Sequence, residues 1–235
     1  MFLLTLVVTM LLTAVIGVLV ERVAYRPLRD APRASAAITG LMVGIFLETA
    51  NLALLGASRK TFPTLLEDTV YRLGGVILTN VKVMIVGLAL LLMWALHLLV
   101  QKTKLGMAMR AMSVDYAILP LMGVPVNTVI VLTFALGSAL AGAAGVLFSM
   151  AYPVLEPYMG LLIGWKAFVA AILGGRGSIP GAVLGGFILG FIEIFVAALF
   201  VSTLRDLIAY SVVLLILTYR PYGLFGEPYS ARLRL

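Results

Sequence analysis

The chain of 235 residues has no cysteine, a single histidine (His97) and only 11% charged residues. Without cysteine it can form no disulfide and can use no thiolate chemistry. A zinc site needs several His, Cys or carboxylate ligands at close spacing, and the sequence contains no such cluster. Soluble domains carry about 25% charged residues, so the shortage of charge excludes an ordinary soluble protein.

Apolar residues, by contrast, make up 63% of the chain, and the mean hydropathy is +1.14. These values predict an all-α, polytopic bundle of transmembrane helices that forms a single domain over residues 1–235. The first apolar run, 2–20, lacks the basic region and cleavage site of a signal peptide. About six to seven membrane segments are expected, at 2–20, 34–57, 81–100, 126–150, 160–174, 180–201 and 206–219.

The segment "GGRGSIPGA" (174–182) interrupts the apolar sequence with Gly, Pro and Arg. Irregular backbone at membrane depth is stable only where protein or water covers it. The break is therefore expected either at the cytoplasmic surface or beside a cavity.

Basic residues orient the chain, because Lys and Arg are retained on the cytoplasmic side. The net charge of +7 then reflects topology and not nucleic-acid binding. With the loop 21–33 inside, the N-terminus starts outside, which suggests missing upstream spans. Eleven of the seventeen basic residues fall inside, namely Arg22, Arg26, Arg29, Arg33, Lys102, Lys104, Arg110, Arg176, Arg220, Arg232 and Arg234.

Small residues that recur every four positions predict close helix packing. They form two series, Gly137, Ala141 and Gly145 in one span, and Gly186 and Gly190 in another. The outer loop 58–80 contains Phe62-Pro63, Glu67-Asp68 and Gly74-Gly75, which predict a structured cap.

Two carboxylates, Glu48 and Glu193, lie near the middle of predicted spans. A charge there costs about 2.5–3.5 kcal/mol, so each should face the bundle interior or a wet path. Asn51 lies three residues after Glu48 and is placed to hydrogen-bond it. Two interpretations stay open: an interhelical hydrogen bond, or a translocation path for a substrate with an ammonium or amide group.

Catalytic constellations are not evident. No nucleophile and base pair is recognisable, and "GGRGS" lacks the Lys that a phosphate-binding loop requires. We therefore expect neither enzyme activity nor a cofactor. His97 is interpreted as an interfacial or packing residue. Lys166, next to Trp165, is expected to extend its amine to the membrane interface.

The stretch "LGMAMRAMSVDYAILPLMGVP" (105–125) joins two spans and predicts an amphipathic helix. Its apolar residues Leu105, Met107, Met109 and Met112 offer adaptable contacts. The helix could lie on the membrane surface or dock on a soluble partner, and the composition alone leaves both open. Pro120 and Gly123 mark the end of this joint.

Three stretches resemble the permeases of branched-chain amino acid ABC importers, specifically the shorter, H-type subunit. They are "KAFVAAILGGRGSIPGAVLGGFILGFIE" (166–193), "ERVAYRPLR" (21–29) and "YRPYGLFG" (219–226). The resemblance implies a multi-pass permease of the inner membrane that translocates branched-chain or related amino acids. It implies that the partners are a second homologous permease, two ATP-binding cassette subunits, a periplasmic or extracellular substrate-binding protein and membrane lipid. Nucleic acid is not expected to bind.

The resemblance also assigns the joint 105–125 to a coupling helix that sits in a groove of the ATPase. Arg110-Ala111, Asp115 and Gly123 stand at the family's spacing. The chain departs from the pattern twice. Family members usually begin with about two more spans, including an "NFAHG"-like segment. Leu119-Pro120 replace an Ala-rich helix, so we expect the coupling helix to end early or to kink.

The alternative is a stand-alone secondary transporter or channel for small polar solutes, in which Glu48 and Glu193 relay protons or cations. It predicts gradient-driven transport by the purified chain alone. Within the ABC interpretation, urea or short amides are also conceivable cargo.

Overall fold

A computed structural model describes residues 1–29, 31–64, 69–73, 76–114, 119–175, 177–199 and 204–226. The chain divides into two compact units, Met1–Met159 and Gly160–Leu235, and each is described by itself. Helices dominate both units, which confirms the all-α membrane bundle. The single domain over 1–235 stays a prediction.

The described residues of unit 1 form five α-helices, four of which have bounds close to predicted spans. They are α1 (Phe2–Val20), α2 (Arg33–Leu55), α3 (Asn80–Lys102), α4 (Lys104–Val114) and α5 (Val126–Ala151). A π-helical turn (Glu21–Tyr25) and a 3-10 turn (Arg26–Leu28) extend α1, and a second 3-10 turn (Leu119–Met122) precedes α5. All of these helices except α4 are long and apolar enough to cross a membrane.

Helix α1 packs along α5, and glycines set their close approach. A Cβ on Gly17 would overlap the Ser138 side chain, and one on Gly142 would overlap Thr13. Gly137 and Gly145 instead face open space, so the predicted packing series is wrong by one position. One residue turns a helix by about 100°, and the stripe that packs is the neighbouring one. Buried Leu6, Ala143 and Val146 complete the core of this unit.

Short strands form the outer connections of unit 1. Strand β1 (Lys60–Thr61) pairs antiparallel with β4 (Val154–Leu155), and β2 (Val70–Leu73) pairs antiparallel with β3 (Val76–Thr79). Arg59 and Glu156 join the first pair with an exposed salt bridge of 2.7 Å. The described part of the loop 58–80 is thus structured, as predicted, although the motifs behind that prediction do not indicate strands. Glu67, Asp68, Gly74 and Gly75 lie outside the described residues.

Unit 2 consists of α6 (Met159–Gly174), α7 (Ile179–Leu199) and α8 (Arg205–Tyr219). Helix α7 is long enough to span, and α6 is a shorter apolar helix. The core holds buried Ala170, Leu173, Leu189, Ala209 and Val213. Gly185 abuts the Ala170 carbonyl, whereas Gly186 and Gly190 face open space. The second packing series is also wrong by one residue.

The break between α6 and α7 is covered by the segment 220–226. The Leu224 N–H donates to the Leu173 carbonyl (2.9 Å) and the Phe225 N–H to the Gly174 carbonyl (3.0 Å). Gly175 (φ 108°) and Gly223 (φ 79°) touch backbone to backbone, so neither position has room for a Cβ. Protein thus satisfies the carbonyls that the end of α6 leaves free. Arg176 lies outside the described residues.

Candidate functional site

A cavity of about 730 Å³ lies between α1, α2 and α5 of unit 1. Its walls are mainly apolar, and glycines of all three helices line them. Tyr25 and Phe134 lie at the end near the start of α5, and Phe62 and Leu155 at the other end. No charged side chain lines the cavity within the described part of the chain. The arrangement suits a small, largely apolar molecule.

Hydroxyl groups supply the polar atoms of this cavity. Thr5, Thr9 and Thr13 follow one another at four-residue spacing and share one face of α1. The Thr5 hydroxyl donates to the Met1 carbonyl (3.2 Å), and that of Thr13 to the Thr9 carbonyl (2.8 Å).

The hydroxyls of Thr9 and Ser138 differ from these. Both side chains are half-buried and line the cavity, and neither donates a hydrogen bond to any described residue. They can therefore bond to a ligand without first giving up an internal partner. Neither residue was among the predicted site residues, although the Thr repeat in "FLLTLVVTMLLTAV" places three hydroxyls on one helix face.

Glu48 and Asn51 of α2 do not line the cavity, whereas their neighbours Gly44 and Leu47 do. The predicted hydrogen bond between Glu48 and Asn51 is wrong. The Glu48 Oε1 atom is buried and has no hydrogen-bond partner among the described residues. The Asn51 side chain is exposed, so the two groups sit in different environments despite their spacing.

Glu193 belongs to a cluster of four charges within unit 2. The Lys166 ammonium lies 2.9 Å from Glu193 Oε1 and 3.1 Å from Asp206 Oδ1. Arg205 Nε is 3.4 Å from the same Asp206 oxygen and 3.9 Å from Glu193 Oε2. The two cations and two anions give the cluster no net charge. This arrangement favours the interhelical interpretation of Glu193.

Lys166 does not extend to the interface as predicted. Only 18% of its side chain is exposed, as is 16% of Glu193. Carboxylates on α7 and α8 hold the amine between the helices. The described residues contain no group of His, Cys and carboxylate side chains that could bind a metal ion.

In the joint 105–125, Arg110 fixes α4 to the end of α3. Its guanidinium donates to the Val100 carbonyl and, at 3.3 Å, to Gln101 Oε1. Cations are stabilised by the free carbonyls at a helix C-terminus. Gly106 lies against the same end of α3, where a Cβ would overlap the Val100 carbonyl. Arg110 and Gly106 therefore hold α4 against the end of α3.

The rest of the joint leaves apolar side chains exposed. Met107 is 62% exposed, and Leu121 and Met122 are 86% and 76% exposed. Leu105, Met109 and Met112 are half-buried. Ala111 is exposed, and Asp115 lies outside the described residues.

The joint ends in a tight turn. Pro120 lies in the 3-10 turn beyond α4, and its carbonyl accepts from the Gly123 N–H (3.1 Å). Gly123 has φ 75°, a conformation that favours glycine. The turn leads directly into α5, as predicted for Pro120 and Gly123.

Residues 1–217 match the family model described as "Branched-chain amino acid transport system / permease component". The chain belongs to this family. One relative is the high-affinity branched-chain amino acid transport system permease protein BraD of Pseudomonas aeruginosa, to which the chain is 39% identical over 224 residues. The aligned residues cover 94% of this chain and 73% of BraD. The chain is 36% identical to LivH of Escherichia coli K12 over 214 residues, which cover 89% of this chain and 69% of LivH.

A more distant similarity extends to the ribose import permease protein RbsC of Escherichia coli K12. The identity is 29% over 140 residues, which cover 57% of this chain and 43% of RbsC. No solved structure matches. The chain is thus a permease component of an ABC importer and a multi-pass protein of the inner membrane. Its family is a class of transporters and not of enzymes.

Proposed function

We propose that this permease carries branched-chain or related apolar amino acids through the cavity between α1, α2 and α5. The observation that supports this most is the cavity itself. Its volume of about 730 Å³ lies in the range of about 300–1,000 Å³ that is usual for small-molecule sites. Apolar walls fit an aliphatic side chain, and the hydroxyls of Thr9 and Ser138 fit the ammonium or carboxylate of an amino acid.

No charged side chain lines the described cavity, which agrees with the weak binding that transport requires and not with tight retention of a ligand. A permeation site must bind well enough to admit its cargo and weakly enough to release it. A fixed carboxylate or guanidinium would hold a zwitterion too firmly in apolar surroundings. Neutral hydroxyls bind it loosely, and selectivity is then left largely to a substrate-binding protein outside the membrane.

The driving force comes from two ATP-binding subunits, and a second, homologous permease completes the pathway. The inner joint is the surface that meets an ATPase. Exposed Met107 on α4 and Leu121 and Met122 in the following turn form its apolar contact. Because Arg110 ties α4 to α3, movement of the ATPases shifts the spans between outward-facing and inward-facing states.

Docking is tested with Met107→Asp, which places a charge in the apolar contact. We expect the ATP-binding subunit to be lost on co-purification, because an unpaired charge at a desolvated interface is costly. Met107→Leu keeps the contact apolar and should retain the subunit. Retention of the subunit by Met107→Asp would contradict docking through α4.

The second candidate, a stand-alone secondary transporter, requires a carboxylate relay. Glu193 is already neutralised by Lys166, and Glu48 does not line the cavity. Both observations favour the ABC importer.

The test of the whole proposal is reconstitution in vesicles with and without the ATPases and the binding protein. We expect uptake of labelled leucine, isoleucine or valine only with all partners and ATP. Urea and ribose serve as alternative cargoes in parallel vesicles. Uptake driven by an ion gradient with this chain alone would overturn the proposal.

A further inference from the structure

The extension of α1 changes helix type at one end of the cavity. The α-helical part ends at Val20, a π turn covers Glu21–Tyr25, and a 3-10 turn covers Arg26–Leu28. Single π turns within helices are rare and occur frequently at functional sites. Conversion of the π turn to α geometry shifts the register by one residue, which turns the following side chains by about 100°.

Tyr25, the last residue of the π turn, closes one end of the cavity. Its ring packs on Phe134 of α5, with centroids 4.9 Å apart and planes at 53°. Its hydroxyl occupies the space in which a Cβ on Gly40 of α2 would lie. All three residues line the cavity. One side chain therefore bridges the three helices at the end that our orientation places inside the cell.

Arg29 holds the π turn in this position. Its guanidinium pairs with Glu21 Oε1 and also donates to Asn127 Oδ1 in the first turn of α5. Glu21 is fully buried, and its Oε2 atom has no hydrogen-bond partner among the described residues. The buried carboxylate thus depends on Arg29 for its charge pairing. Arg29 thus links the first residue of the π turn to the helix that begins directly after the joint.

We propose that Tyr25 is the inner gate of the cavity and that Arg29 is the positioning residue that couples this gate to the joint. The proposal rests on the proposed function, because the joint must receive the movement of the ATPases. Displacement of the joint moves Asn127 and releases Arg29. The π turn then rewinds, and the Tyr25 ring leaves Phe134 and Gly40.

The gate is tested by access to a cysteine in the cavity, since the native chain has none. Ala141→Cys lies on the cavity wall and is labelled with a charged, membrane-impermeant thiol reagent added to the medium outside inside-out vesicles, which expose the cytoplasmic face of the protein. In this background, Gly40→Ala puts a methyl group where the Tyr25 hydroxyl lies and displaces the ring. If the gate is open in about 0.1–10% of wild-type molecules, a variant that holds it open should be labelled about tenfold faster or more.

The matched variant is Tyr25→Phe, which removes the hydroxyl and keeps the ring. Alone it should leave the labelling rate unchanged. Combined with Gly40→Ala it should restore the slow rate, because the nearest remaining ring atom lies 3.5 Å from the new Cβ. Ser113→Cys, exposed on α4, controls for reagent access and should react equally in all backgrounds. An unchanged rate in Gly40→Ala, or a fast rate in the double variant, would overturn the gate.

The coupling role of Arg29 is tested with Asn127→Ala, which cuts the link to α5 and spares the Glu21–Arg29 pair. In the reconstituted transporter, ATP hydrolysis should persist while amino acid transported per ATP falls several-fold. Asn80→Ala removes another exposed amide, at the start of α3. It should change neither ATP hydrolysis nor the amino acid transported per ATP. Unaltered coupling in Asn127→Ala would overturn this role.

The proposed function and the gate can be refuted separately. Cysteine labelling requires only this chain in its membrane, so it reports on the gate whatever the partners are. A wild-type transporter without ATP-driven uptake refutes the proposed function. A wild-type transporter that is coupled, with labelling insensitive to Gly40→Ala, refutes the gate alone.

Discussion

The charge cluster of unit 2 and the cavity of unit 1 differ in how their polar side chains are paired. In unit 2, Lys166, Glu193, Asp206 and Arg205 neutralise one another across α6, α7 and α8. In unit 1, the cavity lining is uncharged, and two of its hydroxyls, on Thr9 and Ser138, donate to no described residue. Polar groups in apolar surroundings need partners. The cluster in unit 2 supplies them internally, whereas the Thr9 and Ser138 hydroxyls of the cavity are free to bond to water or a substrate.

The largest effect should come from breaking the unit 2 cluster with Lys166→Met. Glu193 and Asp206 would lose their nearest cation, and the free energy of unfolding should fall by about 3 kcal/mol, the order of an unpaired charge inside a membrane. Thermal unfolding in detergent measures this. The double variant Lys166→Met and Glu193→Leu should recover most of the loss, as apolar replacements of ion pairs often do. A stable double variant without transport would give the cluster a functional role.

A smaller loss is expected for Gly17→Ala in unit 1. The added methyl group overlaps the Oγ and Cβ atoms of Ser138, and overpacking of this kind costs about 1–3 kcal/mol. Gly137→Ala, which meets open space on α5, is the matched control. Ser138→Gly removes both overlapping atoms and should rescue Gly17→Ala. Equal unfolding temperatures for the two alanine variants would show that α1 and α5 do not pack as described.

Thr9→Val should affect transport and leave stability nearly unchanged. It removes a cavity hydroxyl that is free of internal bonds, so KM should rise about 3- to 10-fold, the equivalent of one hydrogen bond. Thr5→Val is the control on the same face, because the Thr5 hydroxyl already bonds to the Met1 carbonyl. A larger KM change in Thr5→Val than in Thr9→Val would contradict this assignment of the polar groups.

The smallest effect is expected for Glu48→Gln. Glu48 does not line the cavity, and the amide preserves the shape of the side chain, so uptake should stay within about twofold of the wild type. Uptake into vesicles at matched protein levels measures it. Loss of transport with normal folding would favour the carboxylate relay.

The membrane spans were predictable because length and hydropathy determine them locally. The packing faces were not. A four-residue repeat of small residues occurs on two adjacent stripes of α5, and the neighbouring helix decides which one is used. The glycines at 137 and 145 face open space, while Ser138 and Gly142 contact α1. The same one-residue difference separates Gly185 from Gly186 in α7.

The site was less predictable than the fold. The Thr repeat on α1 was visible, but threonines in membrane helices commonly bond to their own backbone, so the repeat alone does not indicate a cavity. Long-range pairings carry no local signal. Lys166 with Asp206, and the break after α6 with Leu224 and Phe225, meet only in the folded chain.

The most direct test of the cavity as the transport path compares Gly145→Leu with Gly137→Leu. Both glycines lie on α5 and face open space, and only Gly145 lines the cavity. One misplaced methylene in an apolar pocket already costs about tenfold or more, so Gly145→Leu should reduce ATP-dependent uptake by at least that factor. Gly137→Leu should transport like the wild type. Equal uptake by the two variants, both folded and assembled, would contradict the account.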